Sequence, residues 1–188
     1  MMASRRFSVN LGSMFRKFSL NKEAEKERKS ESKDPLRAVW SNYITRNGRQ
    51  DEFFKECYEI ILGQYPELRK VFLPVDAKRM ETVLEKLSVN LERFFRELLD
   101  DEQLQEEGKF NNHCLMAGMR HASYSTDSFD TYYWDVFICS MVQVLESKAA
   151  PSEQVDAWES LMHRVVKHMK KGYEQGRFAQ KKLSRIGM

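Results

Sequence analysis

The chain has 188 residues, enough for one ordinary domain with its own core, and a net charge of +3, too small to argue for a nucleic-acid partner, so none is expected. Gly and Pro number only 8 and 4 while Leu, Met, Phe, Glu and Lys are plentiful, which favours helices over a turn-rich β architecture. No apolar run approaches the ~20 residues needed to span a bilayer, and nothing resembles a signal-peptide core.

Charge is unevenly spread. Residues 1–33 hold nine Lys/Arg and four Glu, or +5, whereas the remainder holds 22 Lys/Arg and 24 Asp/Glu, or −2. Residues 1–34 therefore read as a basic extension. Within it Phe7, Leu11, Met14, Phe15 and Phe18 fall at helical spacing, flanked by Arg5, Arg6, Arg16 and Lys17. Residues 5–18 can thus be an amphipathic helix for an anionic membrane or a protein partner's groove, and a tail without structure fits them equally. Residues 21–34 have no apolar stripe and read as a solvated linker.

A domain is expected over residues 35–175. Pro35 suits a first helical position, and Leu36, Val39, Trp40 and Tyr43 form the first periodic face. Asn47-Gly48 marks a turn. A helix over about 50–64 buries Phe54, Cys57, Tyr58, Ile61 and Leu62, and Pro66 and Pro74 bracket a short connection with Leu68, Val71 and Phe72. The spacing of Met80, Val83, Leu84, Leu87, Leu91, Phe94, Phe95, Leu98 and Leu99 predicts a long helix. An acidic loop spans 100–109, and a short helix over 110–122 carries Leu115, Gly118 and His121. Ser125-Thr126-Asp127-Ser128 supplies caps for a helix to about 147, and Pro151-Ser152 starts a last helix whose stripe runs from Trp158 to Tyr173. Residues 176–188 read as a basic tail. No alternating strand pattern occurs, so the fold class is all-α, with six to eight helices.

The order of special residues narrows the field. Trp40 is followed by Pro66-Glu67-Leu68-Arg69-Lys70-Val71-Phe72, then by an amphipathic helix, then by Ala117-Gly118-Met119-Arg120-His121. The last helix contains Ala157-Trp158 and reaches Met169-Lys170-Lys171-Gly172-Tyr173. Along residues 36–175 this resembles a globin, of the neuroglobin-like and nematode intracellular kind.

The resemblance implies one b-type haem with its iron on His121 through a neutral imidazole. It implies that Phe72 packs flat on the porphyrin. Tyr58, fourteen residues earlier, matches the distal position, where a phenol would donate a hydrogen bond to bound dioxygen; a core tyrosine suits the same place. The long helix carries no histidine, so the resemblance places Val83 at the usual distal-histidine position, Leu87 one turn on and Lys86 near a haem propionate. A five-coordinate ferrous haem with an open site follows, for dioxygen or another diatomic gas.

Several function classes lack their signatures. There is no phosphate-binding glycine loop, no nucleophile elbow and no His-Glu-x-x-His. His113 beside Cys114 has no partner pair at zinc spacing. A nitric oxide dioxygenase or peroxidase-like activity would need a separate electron supply. Three cysteines, Cys57, Cys114 and Cys139, show no disulfide spacing, which suggests a reducing, cytoplasmic compartment, with peripheral membrane contact through residues 5–18.

Overall fold

The computed structural model describes residues 33–45, 52–69, 77–100, 106–124 and 129–186. Residues 5–18, Asn47-Gly48, Phe72 and the capping run 125–128 lie outside them. The chain divides into two units, Met1–Lys33 and Asp34–Met188, and the elements below build the second.

Six α-helices and no strand occur among the described residues, an all-α architecture. Helix α1 (Lys33–Val39) passes into a π-helical turn, Trp40–Ile44, closed where the Thr45 backbone N–H and hydroxyl both donate to the Trp40 carbonyl, at 2.8 and 3.0 Å. Val39 and Ile44 are fully buried there. Helix α2 (Glu52–Gln64) buries Phe53, Phe54, Cys57, Tyr58, Ile61 and Leu62 on one face. Pro66–Leu68 forms a single 3-10 turn. Proline opens it because the missing N–H has no role at a first helical position.

Helix α3 (Ala77–Asp100) is the long amphipathic element. Its core face differs from the expected stripe in one respect: two polar side chains, Ser88 and Glu92, are buried among Leu84, Phe95 and Leu98. The Ser88 hydroxyl is satisfied locally, donating to the Leu84 carbonyl at 2.7 Å. One Glu92 oxygen accepts from the Arg96 guanidinium at 3.1 Å, and the other has no hydrogen-bond partner among the described residues. Helix α4 (Glu107–Tyr124) starts three residues earlier than its apolar pattern indicates, because Gly108 and Lys109 continue the helix without adding to the stripe.

Helix α5 (Tyr132–Ser147) begins where the Asp130 carboxylate accepts from the Tyr132 N–H at 2.9 Å. Just past its end Ala149 turns left-handed, with a φ of 56°, and the Ala150 N–H returns to the Leu145 carbonyl at 3.0 Å. Pro151 then stops the chain from continuing. Helix α6 (Ser152–Ile186) does not end near 175 but continues through the basic stretch, since Gln, Ala, Lys and Leu there are good helix formers.

The core gathers at the crossings of these helices. Phe54 of α2 stacks on Phe95 of α3, with centroids 5.7 Å apart, and Phe95 meets Trp158 of α6 at 5.3 Å. Polar ties sit outside. Lys148 pairs with Glu56 at 2.6 Å, Lys170 pairs with Asp135 at 2.7 Å, and Gln64 donates to Gln143 at 3.0 Å. None of the three cysteines is in a disulfide; Cys57 and Cys114 are buried, whereas Cys139, apolar by context, lies exposed on α5.

Candidate haem site

Helices α4 and α6 run side by side in the same direction. Small residues let their backbones touch: a methyl group built on Gly118 would overlap the Met169 carbonyl, and one on Gly172 would overlap the Leu115 carbonyl. Gly176 meets Ala122 and the Met119 backbone in the same way. Further along, the Gln180 amide donates to the Ala122 carbonyl at 3.0 Å. This close approach fixes the last turns of α4, and His121 sits on them.

The His121 ring is held from its own helix. Its Nδ1 lies 2.8 Å from the Ala117 carbonyl, one turn earlier. A carbonyl only accepts, so Nδ1 carries the proton and Nε2 keeps the lone pair. Desolvation by burial lowers the imidazole pKa, and the neighbouring Arg120 cation lowers it further; the Ala117 carbonyl opposes both. The ring is therefore neutral at physiological pH. Aromatic side chains wall it in. Trp134 meets it edge-on, with centroids 5.4 Å apart and planes at 82°, and Trp134 in turn touches Phe129 and Tyr173 at 5.4 and 5.8 Å.

Tyr58 approaches from α2 and is buried. Its ring lies 5.2 Å from Phe137, tilted by 42°. Burial drives the phenol pKa upward, and the adjacent Cys57 adds to the shift, so the hydroxyl keeps its proton. Trp134 and Phe137 are three residues apart on α5. One turn of that helix therefore packs against both His121 and Tyr58.

The remaining expected residues lie on α3. Leu87 is half-buried and packs against the core cluster. Val83 is half-buried, and Lys86 is exposed. The core face of α3 thus runs through Leu84, Leu87, Ser88 and Leu91, with Lys86 on the water side. Contact between this face and His121 is not among the described contacts, and Phe72 lies outside the described residues.

Two roles were not assigned from the sequence, although both residues stand in the motif around His121: which carbonyl holds the ring, and what the glycine packs against. The Ala117 carbonyl is one; four-residue helical spacing is the signal that points to it. The second is Gly118, legible only as part of a Gly-x-x-His pair, whose packing partner lies over fifty residues away.

The donor set and its surroundings fit a haem: one neutral imidazole with its second nitrogen satisfied, walled by aromatic rings on a helix that also packs against a buried phenol. Among the described residues no three His, Cys, Asp or Glu side chains gather as a metal site.

Comparison with known proteins agrees. The family model described as Globin matches residues 55–169, which span α2 to α6 and include both Tyr58 and His121. No curated protein matches the chain.

Proposed function

The chain belongs to the globin family, and from that premise we propose that it holds one b-type haem on His121 and binds dioxygen or another diatomic gas, serving oxygen binding or transport, sensing or redox signalling. Globins in general bind haem and small gases. The observation that carries the reading to this chain is the Nδ1–Ala117 hydrogen bond of a neutral, aromatic-walled His121.

A haem bound there would supply the open coordination position for the gas. The chain's own groups do the rest. His121 offers Nε2 as the axial donor; the Ala117 carbonyl fixes the ring's tautomer and raises its basicity. Trp134 limits rotation of the ring. The Tyr58 hydroxyl, kept protonated by burial, would donate to a ligand atom carrying partial negative charge, and such a bond is stronger in a dry pocket than in water. Leu87 and Val83 would exclude water, Phe72 would pack on the macrocycle, and Lys86, already on the water side, would meet a propionate. A reducing, cytoplasmic setting suits three cysteines that remain thiols.

The test is an absorption spectrum. The purified protein, ferrous and ferric, should show a strong Soret band, and His121→Ala should lose it. Full ferrous haem binding retained by His121→Ala removes the assignment.

A further inference from the structure

Helix α6 outlasts the described elements packed beside it. Its partner α4 ends at Tyr124, two residues beyond Ala122, whereas α6 runs six residues past Gln180, the side chain that reaches Ala122. Among the residues of α6 whose burial is described, which end at Ser184, Gly176 is the last buried one. A helix end without tertiary packing is marginal by itself, because most helical stability comes from burial of an apolar face.

This overhang nevertheless carries large apolar side chains in water. Phe178 is 73% exposed and Leu183 is 69% exposed. Taken around the helix at about 100° per residue, Phe178, Ala179 and Leu183 span one arc of roughly 140°. Lys182 lies within that arc, with Lys181 and then Arg177 on its flank. Residues 175–186 hold four Lys/Arg and no Asp or Glu. The helix dipole explains cations near a C-terminus but not an exposed Phe and Leu. Apolar side chains rimmed by one sign of charge mark an interaction surface.

Charge selects among the occupants. The chain's own basic segment, residues 1–33 at +5, has the same sign of charge as this face and does not complement it. An acidic helix would need a second wall to seat it, and no element lies alongside the overhang among the described residues. A flat anionic surface needs none: rings and aliphatic groups sink to the headgroup boundary while lysines snorkel to the phosphates. We propose that the end of α6, from Arg177 onward, is an interfacial anchor that lays the protein on an anionic lipid bilayer. The proposal is independent of haem and distinct from any membrane contact by residues 5–18.

Sedimentation of the full chain with phosphatidylcholine vesicles containing about a third phosphatidylserine tests it. Binding is expected to anionic but not to neutral vesicles, to weaken with salt, and to fall at least about tenfold in both Lys181→Glu/Lys182→Glu and Phe178→Ser/Leu183→Ser. All four side chains are exposed, so circular dichroism should show unchanged helix content. A measurement on the unaltered protein accompanies this: amide exchange over 177–186 should slow when anionic vesicles are added. Unchanged binding by either pair of substitutions, or no protection of 177–186, overturns the proposal. Binding to polyglutamate in place of vesicles, or protection that rises with protein concentration alone, assigns the face to an acidic peptide or a second copy and overturns it equally.

Discussion

His121 and Tyr58 face the same stretch of α5, yet the helices that carry them are held by opposite means. Helix α4 is set against α6 backbone to backbone, through Gly118, Gly172 and Gly176. Helix α2 is set through large rings, Phe54 on Phe95 and Tyr58 on Phe137, with polar ties such as Lys148–Glu56 on the outside. Backbone contact leaves no slack, because neither chain has a rotamer to change. Ring contact can repack. A group that must present one nitrogen at a fixed angle belongs on the first kind of support. A group that tunes a ligand by a single hydrogen bond tolerates the second.

The sharpest way to break this contrast is to add side chain where none fits. Gly118→Val drives two branches into the Met169 backbone, which has no rotamer to move away. It should cost about 3 kcal/mol, the upper part of the overpacking range. Gly172→Val should do the same against Leu115. Urea midpoints measure both. A loss under about 1 kcal/mol would mean that α4 and α6 can separate at little expense, and the rigid support of His121 would be gone.

The second side predicts a functional effect with little structural one. Tyr58→Phe keeps the ring against Phe137 and removes only the hydroxyl. A lost hydrogen bond to a partly charged ligand atom corresponds to roughly a tenfold faster dioxygen release, about 1.4 kcal/mol. Stopped-flow release rates read it. An unchanged rate leaves Tyr58 as a core tyrosine.

Much of this was legible in the residues, for definite reasons. The stripes of α2 and α6 repeat at helical spacing over several turns, so their core faces, from Phe54 to Leu62 and from Trp158 to Tyr173, could be read directly. His121 stood out because Gly118 precedes it within an ordered series of rarer residues. Three features could not be read. Burial of Glu92 contradicts its residue type and follows only from where α3 lies. The pairing of α4 with α6 joins residues over fifty apart, and a glycine does not announce what approaches it. The helical course of residues 176–186 was hidden by their charge, which reads as tail wherever no apolar stripe continues.

A glycine outside the α4–α6 contact supplies the control. A Cβ on Gly63, in the last turn of α2, would meet nothing within 4 Å. Gly63→Ala should therefore stabilise by about 0.5 kcal/mol, through helix propensity alone. The opposite signs expected at Gly63 and Gly118 separate a conformational cost from a packing demand. Destabilisation by Gly63→Ala would show that α2 is also held more tightly than ring contacts suggest.

The smallest effect is a pH dependence, and its sign follows from His121. Its pKa in the folded chain lies below the ordinary 6.5, first because burial disfavours the imidazolium and then because Arg120 repels it. The unfolded chain therefore binds the proton more readily. Stability is complete above about pH 6.5 and declines as pH falls from there toward the folded value, below which the slope vanishes. His168, lowered by desolvation and by Lys167, Arg164 and Lys171, adds a slope of the same sign. Removing His121 should consequently flatten the profile only in part. Thermal midpoints of the wild type and of His121→Gln, followed from about pH 7.5 to pH 5, measure the difference. A midpoint that rises on acidification, or an identical slope in both proteins, would place His121 in water rather than against Trp134, and the firmly held side of the comparison would lose its reason for being firm.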